Sequence, residues 1–176
     1  MKIGLCGTMS VDKTTLVNAL KETKQFKDYM FRTERSKFLM EQGIPLNTDS
    51  TLKGQTVFLA ERCAELIQKD IITDRTVIDV MAFTLNAKSI PYQDKEAFEE
   101  YAKEFIRDYD YIFYISPYGI DIEDNGIRET DEHYRDLIDF TITTLIKRYG
   151  HRCPSIEKIS GSTDERIQQI LNITGL

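Results

Sequence analysis

The run Gly7-Thr8-Met9-Ser10-Val11-Asp12-Lys13-Thr14 holds the residue types and spacing best suited to chemistry in this chain. It follows a short apolar run, Lys2 to Cys6. It precedes Thr14 to Glu22, where Leu16, Val17, Ala19 and Leu20 recur at helical spacing. A glycine-led turn between strand and helix gathers backbone N–H groups and a helix N-terminus around one anion. The pattern for such a phosphate cradle, the P-loop, is G-x-x-x-x-G-K-[ST]. Gly7, Lys13 and Thr14 match it, and Asp12 stands where the second glycine is expected. Lys13 would reach the terminal phosphates, and the Thr14 hydroxyl would ligate magnesium. Thr8, Met9, Ser10, Val11, Asp12 and Thr15 complete the nucleotide-binding stretch.

Asp12 bears on two energies. A glycine there lets the chain approach phosphate closely, and a side chain obstructs that approach. A carboxylate also repels phosphate, at a ceiling of about 4 kcal/mol for unit charges ~4 Å apart in an effective dielectric near 20. The carboxylate can lower that cost by turning outward or pairing with Lys13. The residue is either an introduced change that disables the protein or a natural weakening of the loop; the intact remainder favours the first.

The elements around this loop alternate. Strands are expected at residues 2–6, 29–31, 71–73, 109–116 and 155–160. Helices are expected at 14–22, 34–42, 55–69, 77–86, 95–107, 131–149 and 162–173, with Ile67, Tyr101, Leu137 and Phe140 among the apolar residues expected to pack inward and the last helix opened by a Ser-Thr-Asp-Glu cap pattern. Asn47 to Gly54 reads as a polar loop. Short apolar strands without clean alternation suit a sheet covered on both faces. The class is therefore α/β, with a mostly parallel sheet. Ligands of such sheets sit beyond the carboxyl ends of the strands. Residues 7–14, residues 32–35 and Asp74-Arg75 all lie there.

Composition narrows the reading. The 176 residues carry 23 Lys+Arg and 29 Asp+Glu, a net charge of -6, which disfavours a protein that coats nucleic acid. With 41% hydrophobic residues the chain can fill one core, and a single domain over 1–176 is expected. No apolar run of about 18 residues predicts a membrane span, and no secretory leader is expected. Cys6, Cys63 and Cys153 form no paired framework and read as buried thiols in a reducing cytoplasm. His133 and His151 stand alone, without metal-ligand spacing.

Four segments resemble the P-loop nucleoside and nucleotide kinases, more narrowly the small phage-type deoxynucleotide kinases and the ribosylnicotinamide-kinase-like ATPases. They are GTMSVDKTT, FRTERSKFL, ITDRTVIDVMAF and DNGIRETDEHYRDLID, and the resemblance covers nearly the whole chain. It implies a three-layer fold with a five-stranded sheet, helices on both faces and a small lid at 119–130. It implies ATP and Mg2+ as cofactors. Lys13 would neutralise the transferred phosphoryl group, and Thr14 would hold magnesium. Glu34 would accept the acceptor's hydroxyl proton. Asp74 would orient magnesium or its water, and Arg75 would bind acceptor or phosphate. Arg128 in the lid would stabilise charge in flight. Arg32 and Arg135 are further phosphate candidates, and Tyr118 or Phe83 is placed to stack on a base or to pack at a core edge.

Three functions compete at this point. The first is phosphoryl transfer to a nucleoside, a nucleoside monophosphate or a related nucleotide in the cytoplasm. The second is a kinase acting on a modified, hydroxymethyl-type base within phage DNA, which the basic clusters Lys21-Lys24-Lys27 and Arg32-Arg35-Lys37 leave open. The third is a nucleotide-binding ATPase or switch module without a kinase substrate, suggested by Asp12. A homodimer also stays open.

Overall fold

The computed structural model describes residues 1–33, 35–118 and 132–176. Five strands form one sheet: β1 Lys2–Cys6, β2 Met30–Arg32, β3 Ile71–Asp74, β4 Tyr111–Ile115 and β5 Ser155–Ile159. Their order is β2-β3-β1-β4-β5, and every pairing among the described residues is parallel. Parallel neighbours need crossover connections, and helices supply them. These are α1 Lys13–Lys21, α2 Ser36–Glu41, α3 Leu52–Glu65, α4 Val77–Asn86, α5 Tyr92–Ala102, α6 Glu132–Tyr149 and α7 Thr163–Thr174.

The period-2 geometry of a strand sends alternate side chains to opposite faces. On β4, Phe113 and Ile115 join Leu16, Val17 and Leu20 of α1 and Ile167 and Ile170 of α7 in one core. Ile112 and Tyr114 face the other core, which α4, α5 and α6 supply through Met81, Phe98 and Ile142. The three-layer α/β architecture with a five-stranded sheet is therefore borne out.

The strand order turns around β1, which lies between β3 and β4. The crevice of an open α/β sheet opens at such a switch point, beyond the strands' carboxyl ends. Cys6 ends β1 and Asp74 ends β3, so residues 7–14 and Asp74-Arg75 meet there.

Gly4, inside β1, allows α4 to approach the sheet. A Cβ at this position would lie 2.5 Å from Thr76 Cγ2 and 2.8 Å from the Tyr109 ring. Tyr109 and Thr76 are fully buried and have no room to yield. Gly4→Ala is expected to destabilise the fold by about 2 kcal/mol through overpacking, and to lower Tm by roughly 5 °C. A thermal or urea melt reads this directly.

Several expected boundaries move. α3 begins at Leu52, because the Thr51 side chain accepts a hydrogen bond from Gly54 N–H and caps it; the polar character of 47–54 hid this start. The same helix ends at Glu65, leaving Ile67 largely exposed instead of in the core. α5 starts at Tyr92, directly after Pro91, and passes into a 3-10 segment, Lys103–Asp108. Leu137, Phe140 and Tyr101 were expected to make core contacts and are exposed. Ser162 and Glu165 do form the capping box anticipated for the last helix. Cys6 and Cys153 are buried, while Cys63 is partly exposed. Among the described residues, no helix is long and apolar enough to cross a membrane.

Candidate active site

The turn between β1 and α1 is fixed from three sides. Gly7 N–H donates to Asp79 Oδ1 at 3.0 Å. A Cβ on Gly7, whose φ is 155°, would lie 2.5 Å from the Ile115 carbonyl oxygen, so glycine is required for that close passage. The Thr8 hydroxyl donates to the Arg135 carbonyl at 3.3 Å, and Arg166 Nη1 donates to the Val11 carbonyl at 3.2 Å. Ser10 and Asp12 both adopt left-handed backbone, with φ 54° and 58°. Asp tolerates that region better than most residues, at a cost of roughly 1 kcal/mol. The loop therefore keeps its bend with Asp12 in the glycine position. Asp12 precedes α1 and its carbonyl accepts Leu16 N–H at 2.9 Å, but its carboxylate makes no capping bond.

Lys13 is buried, and its Nζ curls back onto the loop, donating to the Gly7 carbonyl at 2.6 Å and the Thr8 carbonyl at 2.5 Å. Burial pushes its ammonium down to about 8; the Arg75 charge adds to the shift, and Asp79 and Asp74 oppose it.

Thr14 and Asp74 form the second half of the seat. Thr14 Oγ1 donates to Asp74 Oδ2 at 2.7 Å. Asp74 is buried, and its Oδ1 has no hydrogen-bond partner among the described residues. A buried carboxylate oxygen without a partner is costly, and a hydroxyl beside it completes an oxygen donor set. Such a pair suits a hard cation that keeps several of its waters, as magnesium does. Behind it, buried Arg62 donates from Nη1 to the Asp74 carbonyl at 3.0 Å and from Nη2 to Glu65 Oε1 at 2.7 Å. Burial raises the Glu65 carboxyl, with Arg62 acting against it. Arg62 thus fixes the end of β3 from below.

Arg75 turns the chain with φ 84°. Its guanidinium lies over the Phe83 ring, 4.9 Å from the centroid. Met9, Ser10, Val11, Lys13, Thr14, Asp74 and Arg75 line the small polar seat above the loop. Arg75 also lines a larger, mainly apolar cleft with Ser36, Leu46, Gln55, Phe58, Val80 and Phe83. The two cavities meet at this one side chain. A polar anion seat beside an apolar cleft, joined by a guanidinium, can hold a polyphosphate and a second molecule with a flat apolar part.

The structure brings Gly7 to Thr14, Asp74 and Arg75 together. Phe83 is buried at the cleft edge, whereas Tyr118 is exposed. Arg135 is buried and donates from Nη2 to the Pro117 carbonyl at 2.8 Å, so it braces the segment after β4. Arg32 lines a separate pocket with Arg35, Glu61 and Glu65 and is not part of the small polar seat above the loop. Glu34, Arg128 and the lid at 119–130 lie outside the described residues. Sequence reasoning missed Asp79, Arg62, Gln55 and Arg166. The Thr76-x-x-Asp79 spacing was a readable cap signal for the first of these. The others are polar residues on helix faces that turn inward, which spacing alone does not mark.

A family model described as AAA domain matches residues 2–166. Deoxyadenosine kinase from M. mycoides, with products dCMP and a flexible dCDP bound, superposes with a TM-score of 0.71 at 18% identity, covering 99% of this chain and 98% of that one. NadR protein in complex with NR gives 0.75 at 18% identity; the match covers 99% of this chain and 51% of that one. YorR protein from Bacillus subtilis, in complex with phosphorylated GDP, gives 0.56 at 14% identity, covering 99% and 95%. No curated protein matches significantly in sequence. Matches over essentially this whole chain at such low identity concern architecture, and in that respect the resemblance to P-loop nucleoside and nucleotide kinases is borne out.

Proposed function

The chain belongs to the AAA domain family, and from that premise we propose that it is a magnesium- and ATP-dependent kinase for a nucleoside, a (deoxy)nucleoside monophosphate or a related nucleotide. The observation that carries this reading is Arg75, which lines both the phosphate seat and the apolar cleft. A nucleotide-binding module without an acceptor has no need of the second cavity.

In this reading the donor's phosphates replace the Gly7 and Thr8 carbonyls as partners of Lys13. Thr14 and Asp74 would hold magnesium, which supplies positive charge to the polyphosphate when bound. The acceptor's flat part enters between Phe58 and Phe83, with Gln55 offering an amide for its polar edge. Arg75 then directs the acceptor's hydroxyl towards the γ-phosphorus. The new O–P bond forms as the bond to the β-bridging oxygen breaks. The hydroxyl proton passes to Glu34, and Arg128 closes over the transferring group; both roles rest on the sequence resemblance. Positioning and cationic stabilisation account for most of the catalysis in such transfers.

The test is a screen of nucleosides, nucleoside monophosphates and hydroxymethyl-base DNA with labelled ATP, run on this chain and on Asp12→Gly. Removing the carboxylate from the loop is expected to tighten MgATP binding about tenfold and to raise turnover of a free nucleoside or nucleotide. Equal ATP affinity in both variants without transfer to any acceptor would leave a binding module. Transfer confined to DNA, with a steep salt dependence, would make the polymer the substrate.

A further inference from the structure

Asp79 sits in the first turn of α4 and is fully buried. Its two oxygens serve two different elements. Oδ2 accepts Thr76 N–H and the Thr76 hydroxyl, each at 2.8 Å, which closes the capping box of α4. Oδ1 accepts Gly7 N–H at 3.0 Å. A cap alone does not need that second oxygen. At α7, Glu165 makes both bonds to Ser162 through Oε2.

The partners matter as much as the bonds. Gly7 opens the phosphate loop, and its backbone is packed so closely against Ile115 that its N–H direction is fixed. Thr76 directly follows Arg75, the side chain shared by the two cavities. The Arg75 N–H is in turn bonded to the Leu5 carbonyl at 3.0 Å. One carboxylate therefore ties the first peptide of the donor seat to the peptide that carries the acceptor arginine. A fully buried carboxylate persists when hydrogen bonds satisfy it, and this one accepts three.

We propose that Asp79 is a positioning residue for phosphoryl transfer, setting the distance between the phosphate loop and the acceptor arginine through its simultaneous bonds to Gly7 and Thr76. The proposal rests on the kinase reading above. Transfer rates fall steeply when reacting groups drift by about 1 Å, so the effect belongs in kcat more than in either KM.

Asp79→Asn keeps the shape and breaks the double role. Its single carbonyl oxygen can serve Gly7 or Thr76, and its amide then faces an N–H donor. The expected result is a kcat about 30-fold lower, with the KM for MgATP and for the acceptor each changing less than about fivefold. Thr76→Val is the comparison variant. It removes the hydroxyl that caps Ile78 N–H and that donates to Asp79 Oδ2, but it keeps both backbone bonds of the tether, Gly7 N–H to Oδ1 and Thr76 N–H to Oδ2. A similar loss of Tm is expected there, with kcat falling less than about fivefold. The Gly7 amide resonance provides a readout independent of turnover: in Asp79→Asn it should move upfield and exchange with solvent faster.

Losses of kcat that track Tm equally in both variants would reduce Asp79 to a helix cap and overturn the proposal. An unchanged Gly7 amide in Asp79→Asn would do the same. If no variant transfers phosphate, Asp12→Gly included, the kinase reading fails and takes the positioning role with it. The Gly7 amide and MgATP affinity distinguish that failure from loss of the tether.

Discussion

Lys13→Met is expected to lower phosphoryl transfer by about 1,000-fold or more while leaving the sheet and helices intact. The loss follows from the position of the ammonium, the one lysine among the described residues that line the seat between Gly7 and Asp74. Charge that develops on the transferring group in a water-poor site is stabilised most by a fixed cation, and removal of one such group typically costs 100- to 1,000-fold. Methionine matches the length of the stem without the charge. Single-turnover transfer from labelled ATP measures the effect; retention of more than a tenth of the parent rate would remove Lys13 from the mechanism.

The same residue gives opposite pH dependences for folding and for binding. Lys13 in the folded chain loses its proton near 8, against 10.5 for an ordinary lysine. Between those values the unfolded chain holds more protons, so stability rises with pH across this window. Below pH 8 the buried charge costs on the order of 3 kcal/mol. MgATP needs the charged form, so above pH 8 its affinity should fall by up to about tenfold per pH unit. Melts and binding curves at pH 7 to 10, with Lys13→Met as reference, separate the two. Parallel pH dependences in parent and variant would assign the titration to another group.

Asp74→Asn is expected to be the next most damaging change, with transfer falling about 100-fold and the magnesium concentration for half-maximal rate rising 10- to 100-fold. Asp74 accepts the Thr14 hydroxyl through Oδ2, and its Oδ1, without a hydrogen-bond partner among the described residues, is the oxygen that the proposed cation would take. The amide can still accept from Thr14, so the fold should survive. What would be lost is negative charge next to the proposed divalent ion. A magnesium titration of the rate tests this. An unchanged half-saturation point would mean that Asp74 only braces Thr14.

Much of this site was legible in the sequence because its parts sit at strand ends. A short apolar run, a glycine and a Lys-Thr pair locate the seat on β1 and α1. Asp74-Arg75 follows a β-branched run, so its place at the mouth of the crevice could be read. The contacts across elements could not. Gly7 and Asp79 are 72 residues apart, and Val11 and Arg166 are 155 apart. No local periodicity encodes such pairs. Helix starts were missed where capping chemistry outweighs hydrophobic pattern, as at Thr51. Phe140 and Ile67 misled for the opposite reason: spacing shows that a residue is apolar, and only packing shows whether another element covers it.

The placement of β1 has an evolutionary consequence. β2 and β3 lie to one side of it, and β4 and β5 lie to the other. On the kinase reading, mutations that remodel the cleft for a new guest would fall mainly on α2, α3 and α4. The proposed triphosphate handle hangs from the middle strand and would not need rebuilding. A lineage with this layout would then change its clientele piecemeal, each intermediate keeping the proposed grip on the energy source.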